Sequence, residues 1–273
     1  MKIKPSLTIG IIFLLVGFII FSLTGNDFYI YNFLYIGTSL AIGIGLLVNG
    51  YKYGRNVVLL TVGSYILIFL GLINHENMLL SGFWYYLLLG TFEAAVIHFL
   101  VAKIAGPFLF GRGWCGYACW TAMILDLLPY KIPQNPRKNL GYIRYILFMA
   151  ISCFILGLFI LKVNNLELII FYAFIIGNIL YYVLGISLAF ILKDNRAFCK
   201  YVCPITVFLK LSSYYSLLRV TVNDDKCVNC NKCLNSCPMN VDMLTNSRKR
   251  ENGTECILCM ECVKNCKVNA LEL

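Results

Sequence analysis

Eight of the thirteen cysteines fall in the last fifty residues, in two copies of one spacing. The first copy is Cys227-x2-Cys230-x2-Cys233-x3-Cys237, followed by Pro238, and the second is Cys256-x2-Cys259-x2-Cys262-x3-Cys266. Three thiolates two residues apart wrap one tight loop around three irons of a cubane. A fourth, beyond a short turn, reaches the other cubane. The expected ligands of one 4Fe–4S cluster are therefore Cys227, Cys230, Cys233 and Cys266. The second cluster takes Cys256, Cys259, Cys262 and Cys237. Such clusters carry single electrons, which places the chain in redox chemistry. Zinc sites come as separated CxxC pairs rather than as three thiols plus a fourth, twice over. A reducing compartment suits thiolates kept for iron better than it suits a disulfide framework.

A second set of cysteines lies upstream, in Arg112-Gly113-Trp114-Cys115-Gly116-Tyr117-Ala118-Cys119 and Arg196-Ala197-Phe198-Cys199-Lys200-Tyr201-Val202-Cys203. Both spell R-x-aromatic-C-x-Y-x-C, offset by 84 residues, and the second adds Pro204. A C-x3-C spacing on a helix puts both thiols on one face, because i and i+4 are neighbours there. Two such pairs facing each other offer four thiolates: Cys115, Cys119, Cys199 and Cys203. Three uses stand open, namely a third 4Fe–4S cluster, redox-active dithiols or a transition-metal site, beside plain burial as small side chains. Repetition of the whole octapeptide favours a cluster. Arg112 and Arg196 would then offset its charge, or else serve only as membrane anchors. Cys153 stands alone and reads as packing.

These cysteines need elements to hold them. The chain has 273 residues, is 60% hydrophobic and carries a net charge of +10, with a mean hydropathy of +0.77. That apolar fraction exceeds what soluble domains show. The tail differs: from Val222 onward basic and acidic residues balance at seven each, so the whole excess belongs to residues 1–221. Two units follow, a membrane domain over 1–221 with both C-x3-C motifs and a ferredoxin-like two-cluster domain over 222–273. The expected fold is a polytopic all-α membrane domain followed by a small α+β bacterial-type ferredoxin domain.

Six apolar stretches suffice to cross roughly 30 Å of hydrocarbon: Leu7–Leu23, Tyr29–Leu47, Val57–Ile73, Met78–Val101, Tyr142–Leu161 and Leu166–Leu192. The first follows Lys2 and Lys4 but lacks an A-x-A-like cleavage site, and reads as a retained helix. Fifteen Lys and Arg side chains fall on one side of this topology, and only Lys162 on the other. The expectation is a multi-pass protein of the cytoplasmic membrane with both termini and the ferredoxin domain in the cytoplasm. The basic excess has no nucleic-acid motif attached to it.

Within the spans, Glu93 counts to the middle of the fourth, where a carboxylate is a functional candidate by default. It is the candidate proton acceptor from a quinol. His98 reads as an interfacial side chain. With His75 in a loop near the opposite face, a bis-histidine haem is not expected. The eighteen Tyr and nineteen Phe suit interfacial belts.

From Phe92 to Leu273 the chain resembles the NapH-type membrane ferredoxins, with relatives among NosR-like and CcoG-like proteins. These combine a multi-span domain bearing two C-x3-C-P motifs with a ferredoxin-like tail. Trp120 stands where the first motif of that family has proline, and Lys267 where a proline follows the last cysteine. The resemblance implies electron transfer tied to the quinone pool or to cofactor assembly, with functional C-x3-C cysteines. The resulting expectation is a relay of single electrons between a membrane quinol or quinone and a cytoplasmic redox protein, with quinol dehydrogenase activity as its enzymatic form. The alternatives are a metal-reducing accessory to metallocentre assembly and a redox sensor. No effector domain speaks for the sensor.

Overall fold

The computed structural model describes residues 4–51, 53–92, 94–244 and 253–273. Two long apolar helices open it, α1 (Lys4–Thr24) and α2 (Phe28–Val48). Helix α3 (Gly54–Ser64) runs on as a π-helical stretch, Tyr65–Ile73. Then come α4 (Leu80–Leu89) and α5 (Ala94–His98). The latter continues as a π-helical turn, Phe99–Ala105, into α6 (Gly106–Phe110). Two short helices follow, α7 (Gly113–Tyr117) and α8 (Trp120–Leu125). Next are the long helices α9 (Ile143–Ile160) and α10 (Leu166–Leu192), then the short α11 (Ala197–Tyr201) and α12 (Thr206–Ser213). Among the described residues, five helices are long and apolar enough to cross a membrane: Ser6–Thr24, Phe28–Val48, Gly54–Ile73, Ile143–Ile160 and Leu166–Leu192. Their outward faces are apolar, with Leu15, Phe18 and Ile19 of α1 and Ile176, Ile179 and Leu180 of α10 all exposed. This is compatible with a membrane protein. Cys153 also lies exposed on α9, so it faces out of the bundle rather than packing inside it.

The expected fourth span is not a straight helix. Phe83 of α4 and Phe99 stack with ring centroids 4.7 Å apart, whereas one continuous helix would hold positions sixteen residues apart about 24 Å from each other. The chain instead folds back as a helical hairpin. Its turn is at Gly90, which caps α4 in the left-handed region at φ 72°, a conformation glycine adopts without Cβ strain. Thr91 donates its backbone N–H to the Tyr86 carbonyl at 3.0 Å and closes the turn. An unbroken apolar run looks the same whether it is straight or bent, so composition alone read Met78–Val101 as one straight span. Glu93 lies outside the described residues, and the count that placed it mid-membrane assumed a helix the hairpin interrupts.

The tail closes on itself. Strand β1 (Thr221–Val222) pairs antiparallel with β2 (Leu271–Glu272) in the register Thr221↔Glu272 and Val222↔Leu271. Between them lie α13 (Lys232–Asn235) and α14 (Glu261–Lys264).

Candidate functional site

The two cysteine runs of the tail have one geometry, repeated at an offset of 29 residues. Asn229 and Asn231 in the first run, and Leu258 and Met260 in the second, take positive φ between 50° and 63°. Asn tolerates that region, but Leu and Met adopt it only under local demand. Such left-handed residues turn backbone N–H groups into one concavity, a nest for negative charge. The fourth cysteine of each run completes the match. Val241 donates its N–H to Cys237 Sγ at 3.3 Å, and Ala270 does the same to Cys266 Sγ at 3.3 Å. Cys227, Cys230, Cys233 and Cys266 line one cavity. Cys237, Cys256, Cys259 and Cys262 line another. Each cavity thus takes three thiols from one run and the fourth from the other. No three Cys, His, Asp or Glu side chains among the described residues stand close enough for a single ion. Thiols ranged around a wider cavity, with inward N–H donors, fit a cubane, whose irons hold their thiolates farther apart.

The C-x3-C pairs do not share one helix face as expected, because α7 ends at Tyr117 with Cys119 capping α8, and α11 ends at Tyr201 with Cys203 in the loop beyond; the two halves nevertheless grip each other. Arg112 of the first octapeptide donates from Nη2 to the Cys199 carbonyl at 3.3 Å. Arg196 of the second donates from Nη1 to the Cys115 carbonyl at 2.9 Å. The same Nη1 is 4.0 Å from Cys199 Sγ. This exchange brings the four thiols into one electrostatic neighbourhood, with Cys203 in reach of Cys199, Cys119 and Cys115. Burial pushes the Cys199 thiol up to about 12 and raises Cys119. A redox-active dithiol needs the opposite, a lowered pKa. Trp120, the residue after Cys119, is anchored twice. Its indole donates to Asn178 Oδ1 at 2.7 Å, and Tyr182 Oη donates to its carbonyl at 3.1 Å. It packs on Gly63 of α3, where a Cβ would sit 3.1 Å from Trp120 Cα.

Five cations read from the sequence as membrane-side anchors are buried instead: Lys103, Arg112, Arg144, Arg196 and Lys200. Three buried carboxylates, Asp126, Asp194 and Glu255, face them. The excess is two positive charges among the described residues. Arg196 pairs with Asp126 at 2.6 Å, which also holds Arg55 of α3 at 2.5 Å. Burial alone would raise the Asp126 carboxyl, but the two guanidiniums outweigh it and lower its pKa. Lys200 pairs with Asp194 at 2.7 Å. Lys103 has no carboxylate partner among the described residues. Its ammonium lies over the Trp114 ring, 4.9 Å from the centroid. A desolvated cation–π contact contributes about 2 kcal/mol, while an uncompensated buried ion costs several. His98, expected at an interface, is half-buried with its ring 5.0 Å from that of Trp114, and its buried Nε2 has no partner.

The tail is seated on this platform. Glu255, next to Cys256, binds Arg112, Arg137 at 3.0 Å and Arg144 at 2.9 Å. Burial would raise its carboxyl, but Arg112, Arg144 and Arg137 outweigh that and hold it at about 2. Tyr117 Oη donates to the Leu258 carbonyl at 2.9 Å. Gly116 comes so close that a Cβ would run into the Ile257 carbonyl. Lys200, beside Cys199, donates to Asn240 of the tail. The cavity of Cys237, Cys256, Cys259 and Cys262 is therefore the one next to the C-x3-C helices. In the other, Cys230 is exposed. Lys103, Asp126 and Glu255 carried no signal beyond residue type, since their partners are distant in sequence. Arg112 and Arg196 were marked by the repeated octapeptide.

Comparison with known proteins agrees with iron–sulfur chemistry. Residues 219–267 match the family described as 4Fe-4S dicluster domain. Residues 93–139 and 178–221 match the family described as 4Fe-4S binding domain. The chain is 24% identical to an uncharacterized protein of Methanocaldococcus jannaschii over 173 residues, 59% of this chain and 65% of that one. A second uncharacterized protein of the same organism is 26% identical over 167 residues, covering 56% and 69%. The methylamine utilization ferredoxin-type protein MauN of Paracoccus denitrificans is 39% identical over 57 residues, 20% of each chain. No solved structure matches. The chain is an iron–sulfur protein with ferredoxin-type domains.

Proposed function

We propose that this chain relays single electrons between a membrane quinol and a soluble redox partner, as a NapH-type membrane ferredoxin. One observation carries the reading: three sets of four thiols lie in sequence from the helix bundle to the exposed end of the tail. The set Cys115, Cys119, Cys199 and Cys203 comes first, the set containing Cys256 next, and the set containing Cys227 and Cys230 last. The 4Fe–4S clusters these thiols would hold supply one-electron transfer. The split match to the 4Fe-4S binding domain supports a third cluster, because its two segments contain only those four cysteines.

The chain's own residues prepare the path. Arg112 touches both the Cys199 carbonyl and Glu255, so it spans the first and second sets. Buried cations offset thiolate charge that no solvent reaches. Facing outward between α2 and α3, an aromatic groove lined by Tyr31, Tyr35, Ser64 and Tyr65 offers a planar ring both stacking faces and hydroxyl partners. It is the candidate quinol site. Gly63, against Trp120, lies one residue from its wall. Glu93 is the proposed proton acceptor. The excess of Lys and Arg toward the cysteine-bearing end supports a cytoplasmic tail.

Anaerobic purification with iron and sulfide counting tests the reading. About twelve irons are expected for three cubanes, and Cys115→Ser or Cys199→Ser lowers the count by about four. A count of eight in the wild type removes the third cluster. A menaquinol analogue reduces the wild type, and Glu93→Gln slows that reduction; if no quinol reduces the protein, the quinol reading fails.

A further inference from the structure

Lys103 has no role in the relay as drawn, yet among the described residues it is a buried cation without a carboxylate partner. We propose that Lys103 is the counter-ion of the four-thiol site, walling it on the hairpin side and raising the reduction potential of the centre it holds. This rests on the third-cluster reading and names the residue that tunes it.

Three observations converge. The ammonium is buried on the π-helical arm of the hairpin, with aromatic faces on one side, Trp114 at 4.9 Å and Trp120 at 6.0 Å. Both rings are chain neighbours of the thiols, Trp114 of Cys115 and Trp120 of Cys119, and the charges of Cys119, Cys115 and Cys203 act on the ammonium from both halves of the repeat. Neutral thiols would leave that charge unmet in an apolar interior, a costly state. A cubane of charge 2+ on four thiolates would be a dianion, and Lys103 would stand beside Arg112, bonded to the Cys199 carbonyl, and Arg196, 4.0 Å from Cys199 Sγ. Unpaired donors gather at the same place: the Trp114 indole Nε1 and the Nε atoms of Arg112 and Arg196 are buried without partners. These are N–H groups of the kind that bond cluster sulfurs and shift their potentials. The aromatic face under Lys103 fixes its height, so the hairpin that interrupts the fourth span is what delivers a positive charge to the thiols.

The alternative is that Lys103 only packs against the tryptophans. Wild type, Lys103→Met and Lys103→Arg are compared as full-length protein purified anaerobically in detergent. Iron is counted, and EPR spectra are recorded at poised potentials. With its iron retained, Lys103→Met is expected to lower one midpoint potential, because losing a cation disfavours gaining an electron. The other two stay put, and Lys103→Arg returns the first toward wild type. Loss of about four irons in Lys103→Met that Lys103→Arg prevents supports the same role. Full iron with all potentials unmoved in Lys103→Met overturns it, as does iron loss in both variants. Eight irons in the wild type instead removes the underlying cluster reading, and this assignment with it.

Discussion

Glu255 is one carboxylate set against three guanidiniums, and the fit of the tail turns on it. Removing one partner of a buried pair leaves the others charged and dry, at about 3–5 kcal/mol. Glu255→Gln is therefore expected to unseat the loop Cys256–Cys262 without unfolding the long helices. Hydrogen exchange checks this: protection should fall around Gly116 and Leu258 and hold in α10. Unchanged protection at both would show that the apolar contacts seat the tail alone. Neither Arg112 nor Glu255 was readable as a pair, since 143 positions separate them. Cluster spacing was readable because coordination imposes it locally, within a loop of seven residues.

At the level of elements, the short helix α7 is built to be covered. Gly116 admits the Ile257 carbonyl where any side chain would collide. Gly116→Val is expected to lift the tail's second loop while leaving the Arg196 grip on Cys115 in place. Limited proteolysis should then release the tail from the membrane part faster than in the wild type, and equal rates would refute the close approach. The long helices were legible from apolar length, which a bilayer demands of any span. The hairpin was not, because α4 and its return arm are both apolar, and only Gly90 followed by Thr91 marks the reversal. The π-helical stretches, Tyr65–Ile73 and Phe99–Ala105, left no mark in periodicity either.

For the whole molecule, the order of the thiol sets makes a directional prediction. With electrons supplied from the membrane end, Cys230→Ser should leave the inner tail signal reducible, whereas Cys259→Ser should block reduction at the outer set. Freeze-quench EPR after quinol addition distinguishes the two. Equal effects from both substitutions would mean that the sets are not in series. The first spans, silent in sequence motifs, gain a role here: α3 contributes Arg55, which binds Asp126 and donates to the Gly116 carbonyl at 3.1 Å. It thereby ties the bundle to the cysteine platform.

The reciprocal grip of Arg112 and Arg196 also bears on how the protein is made. A ribosome delivers Cys115 long before Cys199, so the first half waits, incomplete, until the second has entered the bilayer. The loop bearing Glu255 emerges last and settles over the helices that hold both pairs. On the proposed third-cluster reading, iron for the C-x3-C thiols would arrive in the interval between those two events, or through a tail that lifts again. Maturation of this chain is in that sense a matter of timing.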